Sequence, residues 1–224
     1  MALATFSISL SLMRIRVLPK QRRAFLELAA FKEPAYTLFT AAFFFAFMGL
    51  YTPIYYIQGY AILKHITDTS LGFYMLPILN AASVFGRVVP NFYADRLGPL
   101  NMLIPCCLAS CILMFGWIGI EDVAGLVVFA LLFGFFSGTF VSLPPTAIVS
   151  LSPHLGVVGT RMGMAFTVAS LGLLVGTPVS GAILQSTGNW IGPQTLAGAT
   201  TCVATLFLVL SRIYKAGTKI SVKA

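Results

Sequence analysis

Fifty consecutive residues, 162–211, carry no Lys, Arg, Asp or Glu, and the 38 residues 123–160 before Arg161 carry none either. A water-facing surface cannot be assembled from such stretches, whereas about 20 apolar residues in a helix cross the hydrocarbon core of a bilayer. The same test on the rest of the chain finds charge-free intervals at 34–63, 69–86 and 97–120. These predict spans at about 35–60, 71–93, 97–120 and 123–150, followed by a loop over 151–160 with Pro153 and His154. Two more spans share the long final interval, divided by the turn-forming segment Ser186 to Gln194. Composition agrees, with 58% hydrophobic and 9% charged residues against about 25% charged in a soluble domain.

Orientation follows from where the cations fall. Of the 14 Lys and Arg residues, 13 lie on one side of the six-span reading and only Lys64 lies on the other. Short loops rich in Lys and Arg stay in the cytosol, so both termini are expected there. The net charge of +8 is thereby assigned to membrane-flanking segments and lipid contact, not to nucleic acid. The two later outer turns carry Glu121 and Asp122 or, between the last two spans, no charge.

Residues 1–33 read as a partial helix stub and a basic cytosolic linker, 34–213 as the transmembrane bundle, and 214–224 as a basic cytosolic tail. The apolar stretch Met1 to Met13 is too short to span, and its positive charges follow it, the reverse of a signal peptide. It reads as the inner end of a helix belonging to a longer design. Cys106, Cys107, Cys111 and Cys202 show no Cys-x-x-Cys spacing and fall within spans, where free cysteine is a small hydrophobe. His65 and His154 fall in turns as solvated residues. No phosphate-binding loop, nucleophile elbow or metalloprotease pair is present, so neither an enzyme, a cofactor, a metal site nor a primary pump is expected.

Three segments carry more specific information. The first is Gly86-Arg-Val-Val-Pro-Asn-Phe-Tyr-Ala-Asp-Arg-Leu-Gly98, between the second and third spans. The second is Gly172-Leu-Leu-Val-Gly176-Thr-Pro178-Val-Ser-Gly181 in the fifth, where small residues four apart allow close helix approach and Pro178 bends the helix. Gly134 and Gly138 repeat that spacing in the fourth span, which ends in a kink at Pro144-Pro145. The third is Tyr51-Thr-Pro-Ile-Tyr-Tyr-Ile-Gln58 with Leu79-Asn-Ala-Ala-Ser-Val-Phe-Gly-Arg87.

The Asp95-Arg96-x-Gly98 core resembles the loop signature of the major facilitator superfamily, with Asn91 at the position of its first glycine and Pro99 and Leu100 replacing its trailing basic residues. From about Lys32 to Arg212 the chain resembles fungal relatives of the monocarboxylate porters within that superfamily, in particular their C-terminal half. The resemblance implies six helices as two inverted three-helix repeats, forming one half of a secondary transporter that lies in the plasma membrane. It also implies a small organic anion, monocarboxylate or secondary metabolite as substrate, and a second transporter half or another copy of the chain as partner. Asp95, Arg96 and Gly98 are then a cytosolic latch, and Gly172, Gly176, Pro178 and Gly181 a packing helix. In the animal porters an arginine at the position of Arg87 binds the substrate carboxylate, with an aspartate four residues earlier in proton coupling. That earlier position is Ser83 here, with Asn80 the nearest polar residue.

Arg87 stands out without the resemblance, because a charged side chain inside a span is costly and faces a cavity, a partner or, by snorkelling, the interface. Counted from a helix end near Tyr93, it lies about 9 Å into the span. Tyr51 and Tyr55, one turn apart, either line a path or anchor the interface. The candidate substrate or gating set is therefore Arg87, Asn80, Ser83, Tyr51 and Tyr55. The alternative is a truncated fragment without transport, or a regulatory or structural membrane subunit.

Overall fold

The computed structural model describes residues 2–12 and 26–217. Arg14, Arg16, Lys20, Arg22, Arg23, Lys219 and Lys223 lie outside them. The described residues form helices α1 (Ala2–Leu12), α2 (Pro34–Leu63), α3 (Thr69–Leu97), α4 (Pro99–Gly116), α5 (Val123–Ser142), α6 (Pro144–Leu151), α7 (Leu155–Thr187) and α8 (Ile191–Ala216), with no strand among them. Taking α5 with α6 as one broken rod, six helices among the described residues are long and apolar enough to cross a membrane.

Local chemistry sets most boundaries. Pro34, Pro99 and Pro144 each sit in a helix's first turn, where the missing N–H costs nothing. The Asp122 carboxylate caps α5 by accepting from the Gly125 N–H at 2.9 Å. Gly188 closes α7 in the left-handed region at φ 63°, within the segment expected to turn. Pro144 breaks the fourth span two residues after α5 ends, as the proline pair suggests.

Three expectations change. The loop expected over 151–160 shrinks to 152–154, and α7 starts at Leu155, so Arg161 is helical and buried instead of lying in a flanking turn. The turn expected around Asp95 and Arg96 is helical as well: α3 runs to Leu97, and the joint to α4 is Gly98 alone, at φ 97°. The tail begins later, since α8 continues through Lys215 to Ala216.

The bundle is made of two interlocked triplets, α2 to α4 and α5 to α8. The first helix of each packs on the middle and last helices of the other, α2 on α7 and α8, α5 on α3 and α4, and the last helices α4 and α8 pack on each other. That reciprocity is the arrangement of inverted three-helix repeats. Glycine permits the two equivalent crossings. A Cβ on Gly134 or Gly138 of α5 would overlap the main-chain carbonyls of Leu79 and Ser83 on α3, and one on Gly172 or Gly176 of α7 would overlap those of Phe44 and Met48 on α2. Hydrophobic burial does not draw helices together within lipid, so such close backbone approach supplies the dispersion contact that does.

Charges gather at the two ends. Lys32, Glu33, Arg96, Arg161, Arg212 and Lys215 share the end where α2 begins, while Lys64, Asp68, Glu121 and Asp122 share the other. Near the latter end Tyr60 packs edge-on against Trp117 and Trp190, and its hydroxyl donates to the Ile120 carbonyl at 2.6 Å.

Candidate functional site

A groove of about 160 Å³ opens between α2, α3 and α5. Phe47, Leu50, Tyr51 and Ile54 line it from α2, Leu79, Asn80, Ser83 and Arg87 from α3, and Ser137, Phe140 and Val141 from α5. Four of the five residues expected to meet substrate, Tyr51, Asn80, Ser83 and Arg87, are thus brought together. Tyr55 is not among them: it is 59% exposed, one turn beyond Tyr51, with ring centroids 6.2 Å apart.

The α3 wall of the groove is packed closely against α5 and hydrogen-bonded along its own backbone. Immediately before Arg87, the Gly86 backbone lies so close to Phe135 that no Cβ would fit, and the Gly86 carbonyl accepts from the Thr139 hydroxyl at 3.1 Å. The Arg87 carbonyl accepts from the Asn91 amide at 2.6 Å. Ser83 donates to the Asn80 carbonyl at 2.7 Å and Asn80 to the Leu76 carbonyl at 3.0 Å. These bonds use donors only, so the Asn80 Oδ1 and the hydroxyl lone pairs remain available as acceptors.

Arg87 lies ten residues before the end of α3, roughly 15 Å along the axis and deeper than the 9 Å expected, because the helix continues past Tyr93. No carboxylate lines the groove, and among the described residues no hydrogen bond or ion pair is made to the Arg87 guanidinium. Arg87 is an exposed side chain on the groove wall, so its charge and N–H donors are open to the cavity mouth.

The other expected residues divide. Arg96 lies 5.7 Å over the Phe92 ring, and both it and Asp95 are exposed in the last turn of α3. Gly172 and Gly176 hold α7 against α2. One turn further, the Thr52 and Ser180 hydroxyls pair at 3.3 Å, and Tyr56 reaches over Gly181 to donate to the Thr177 carbonyl beside Pro178 at 3.1 Å.

A second polar centre was not foreseen. Arg161, 1% exposed, donates all five guanidinium hydrogens: Nε and Nη2 to the Glu27 carboxylate at 3.1 Å each, Nη2 and Nη1 to Glu33 at 2.6 and 2.8 Å, and Nη1 to the Leu151 carbonyl at 3.2 Å. Tyr36 donates to the Arg161 carbonyl at 2.7 Å. The hydrogen bonds from Arg161 outweigh desolvation and hold the Glu33 carboxyl below its ordinary range. The clamp joins the segment before α2 to the α6–α7 joint. Its visible signal was a carboxylate on either side of the short segment Leu28–Lys32, which forms a docked 3-10 helix with Ala30 fully buried. Arg212 is likewise a tie, donating from Nε to the Asn101 Oδ1 at 2.5 Å and from Nη1 to the Gly217 carbonyl at 2.9 Å.

Two interlocked triplets, glycine-packed crossings and a polar groove on one face define the class: an integral, multi-pass membrane protein carrying one half of a secondary-transporter fold. Comparison with known proteins agrees. The MFS-type transporter dbaD of Emericella nidulans is 42% identical over 212 residues, which is 94% of this chain and 48% of that protein. The aspyridones efflux protein apdF of the same organism is 39% identical over 182 residues, 81% of this chain and 37% of that protein. Among solved structures, the E. coli fucose:proton symporter FucP superposes with a TM-score of 0.71 over 93% of this chain and 52% of its own, at 16% identity, a likeness of fold alone. No family model matches the sequence. The chain belongs to the major facilitator superfamily, a family of transporters and not of enzymes, and it spans about half the length of the curated relatives it matches.

Proposed function

We propose that this chain is the C-terminal half of a major facilitator carrier that moves a small organic anion, such as a monocarboxylate or an acidic secondary metabolite, across the plasma membrane, with both termini cytosolic. The observation that carries the reading is Arg87. A cation roughly 15 Å along its helix, fixed by the tightest helix crossing and facing a cavity with no carboxylate on its walls, is costly unless an anion visits it. Asn80 and Ser83 supply polar atoms beside it. Export is supported by the likeness to a relative named as an efflux protein. The cavity is open on the side away from α2, α3 and α5, where facilitator folds place a second half. That partner is the remaining half of the carrier or another copy of this chain. Asp95, Arg96 and Gly98 then act as the latch between conformations at the cytosolic end.

Without a carboxylate at position 83, no proton-accepting acid stands beside Arg87 in this half. Coupling to a proton would therefore depend on a group elsewhere in the carrier. The test is flux of radiolabelled lactate, benzoate and acetate through proteoliposomes holding the chain, alone and co-reconstituted with a relative's N-terminal half. Saturable flux that Arg87→Gln abolishes and Arg87→Lys partly keeps is expected. Flux equal to empty liposomes in every combination, or a wild-type rate in Arg87→Gln, would overturn the reading.

A further inference from the structure

One face of α2 carries an aromatic ladder that the anion reading leaves unused. Phe39, Phe43, Phe47, Tyr51 and Tyr55 recur every fourth residue, and successive rings lie in contact, with centroids 4.9, 5.4, 5.5 and 6.2 Å apart. Four residues turn a helix through about 400°, so each ring is displaced about 40° from the one before and the ladder spirals as it climbs roughly 24 Å. Its lower rungs, Phe39 and Phe43, are fully buried, Phe47 and Tyr51 are half-buried on the wall of the groove, and Tyr55 is exposed. Core packing accounts for the first two rings. It accounts for only part of Phe47, which packs against the core on one side, and the remaining surface of Phe47 and Tyr51 lines the cavity that Arg87 also lines, with Phe140 on the α5 wall.

We propose that the groove takes an aromatic carboxylate, with a planar conjugated ring against Phe47 and Tyr51 and its charged group on Arg87. This rests on the anion reading above and narrows it. The open groove of about 160 Å³ has room for a benzene-sized ring, whereas a two- or three-carbon acid would leave most of the aromatic wall uncovered. Ring faces are electron-rich and ring edges electron-poor, so an aromatic guest gains offset or edge contacts that a saturated ring of the same size does not. Asn80 and Ser83, on the Arg87 side of the cavity, complete a polar end opposite the aromatic wall.

The experiment is competition against radiolabelled benzoate on the full chain in detergent, with cyclohexanecarboxylate, which keeps charge and size but loses the π system, and benzamide, which keeps the ring but loses the charge. Cyclohexanecarboxylate is expected to compete roughly tenfold more weakly than unlabelled benzoate. That preference should persist in Tyr51→Phe and collapse to within about twofold in Tyr51→Leu. Benzamide should fail to compete, and Arg87→Gln should abolish binding while its thermal melting stays that of the parent. Equal competition by the two carboxylates, with binding still lost in Arg87→Gln, would overturn the aromatic assignment and leave the anion reading standing. Absence of any Arg87-sensitive benzoate binding, both by the chain alone and by the chain combined with a relative's N-terminal half, would overturn both.

Discussion

Replacing Arg161 with methionine tests whether the clamp holds the chain segment before α2 onto the bundle. The side chain is 1% exposed and donates all five of its hydrogens, four of them to Glu27 and Glu33, whose side chains are 21% and 45% exposed. Removing one member of a buried ion cluster costs about 3–5 kcal/mol, because the remaining charge is left desolvated. Here both carboxylates keep some access to water, Glu33 most, so the expected loss is about 2–3 kcal/mol. Lysine preserves the charge but offers three donors from a point, without the planar fork that engages two carboxylates at once, and should lose about 1–2 kcal/mol. Combining Arg161→Met with Glu27→Gln and Glu33→Gln removes the stranded charges and should recover more than half of the loss. The assay is equilibrium unfolding in mixed micelles of dodecyl maltoside and SDS, followed by tryptophan fluorescence. A loss below about 1 kcal/mol for Arg161→Met, or a triple variant as unstable as the single one, would refute the reasoning from burial and saturation.

The remaining predictions follow from the same geometry. Because Arg161 holds the Glu33 carboxyl below its ordinary range, its contribution to stability is complete above the unfolded carboxylate value of about 4.3 and is lost as pH falls through the lower folded value; unfolding midpoints should be flat from about pH 8 to 5.5 and drop below about pH 4, with a shallower drop in Glu33→Gln. Gly134→Val, which must push the α5 backbone off α3, should cost about 1–3 kcal/mol in the same assay, whereas Gly163→Ala, with open space around the new Cβ, should be neutral or stabilising by up to about 1 kcal/mol. Asn101→Ala, which removes the acceptor of the Arg212 Nε, should cost about 1–2 kcal/mol.

Spans were legible because the bilayer imposes one demand, an uncharged stretch of sufficient length, and the intervals 34–63, 97–120 and 162–211 meet it without reference to any neighbour. Glycine spacing at 134 and 138 and at 172 and 176 was legible for a similar reason: close approach needs small residues at a fixed helical period whatever lies opposite. What stayed hidden depends on pairing. Nothing local shows that Arg161 meets carboxylates 134 and 128 residues away, so it read as a topology signal when it is a buried tie. Helix ends were the other failure. Asp95 and Arg96 look like loop residues by charge, yet only Gly98, with its positive φ, breaks the rod, and this sets Arg87 deeper than expected. Tyr55 shares a face with Tyr51 by period, but the 40° drift per four residues carries it out of the groove.

The central claim is that the α3 face bearing Asn80, Ser83 and Arg87 meets water and anions while the opposite face of the same helix does not. Asn80 and Phe85 are both exposed side chains, set about 140° apart around α3. With the four native cysteines replaced by alanine, Asn80→Cys and Phe85→Cys can be compared in membranes for reaction with methanethiosulfonates of either charge. The account predicts that position 80 reacts at least about tenfold faster than position 85, and faster with the anionic reagent than with the cationic one, an excess that disappears in Arg87→Gln. Equal rates at the two positions, or no preference for the anionic reagent while Arg87 is present, would contradict it.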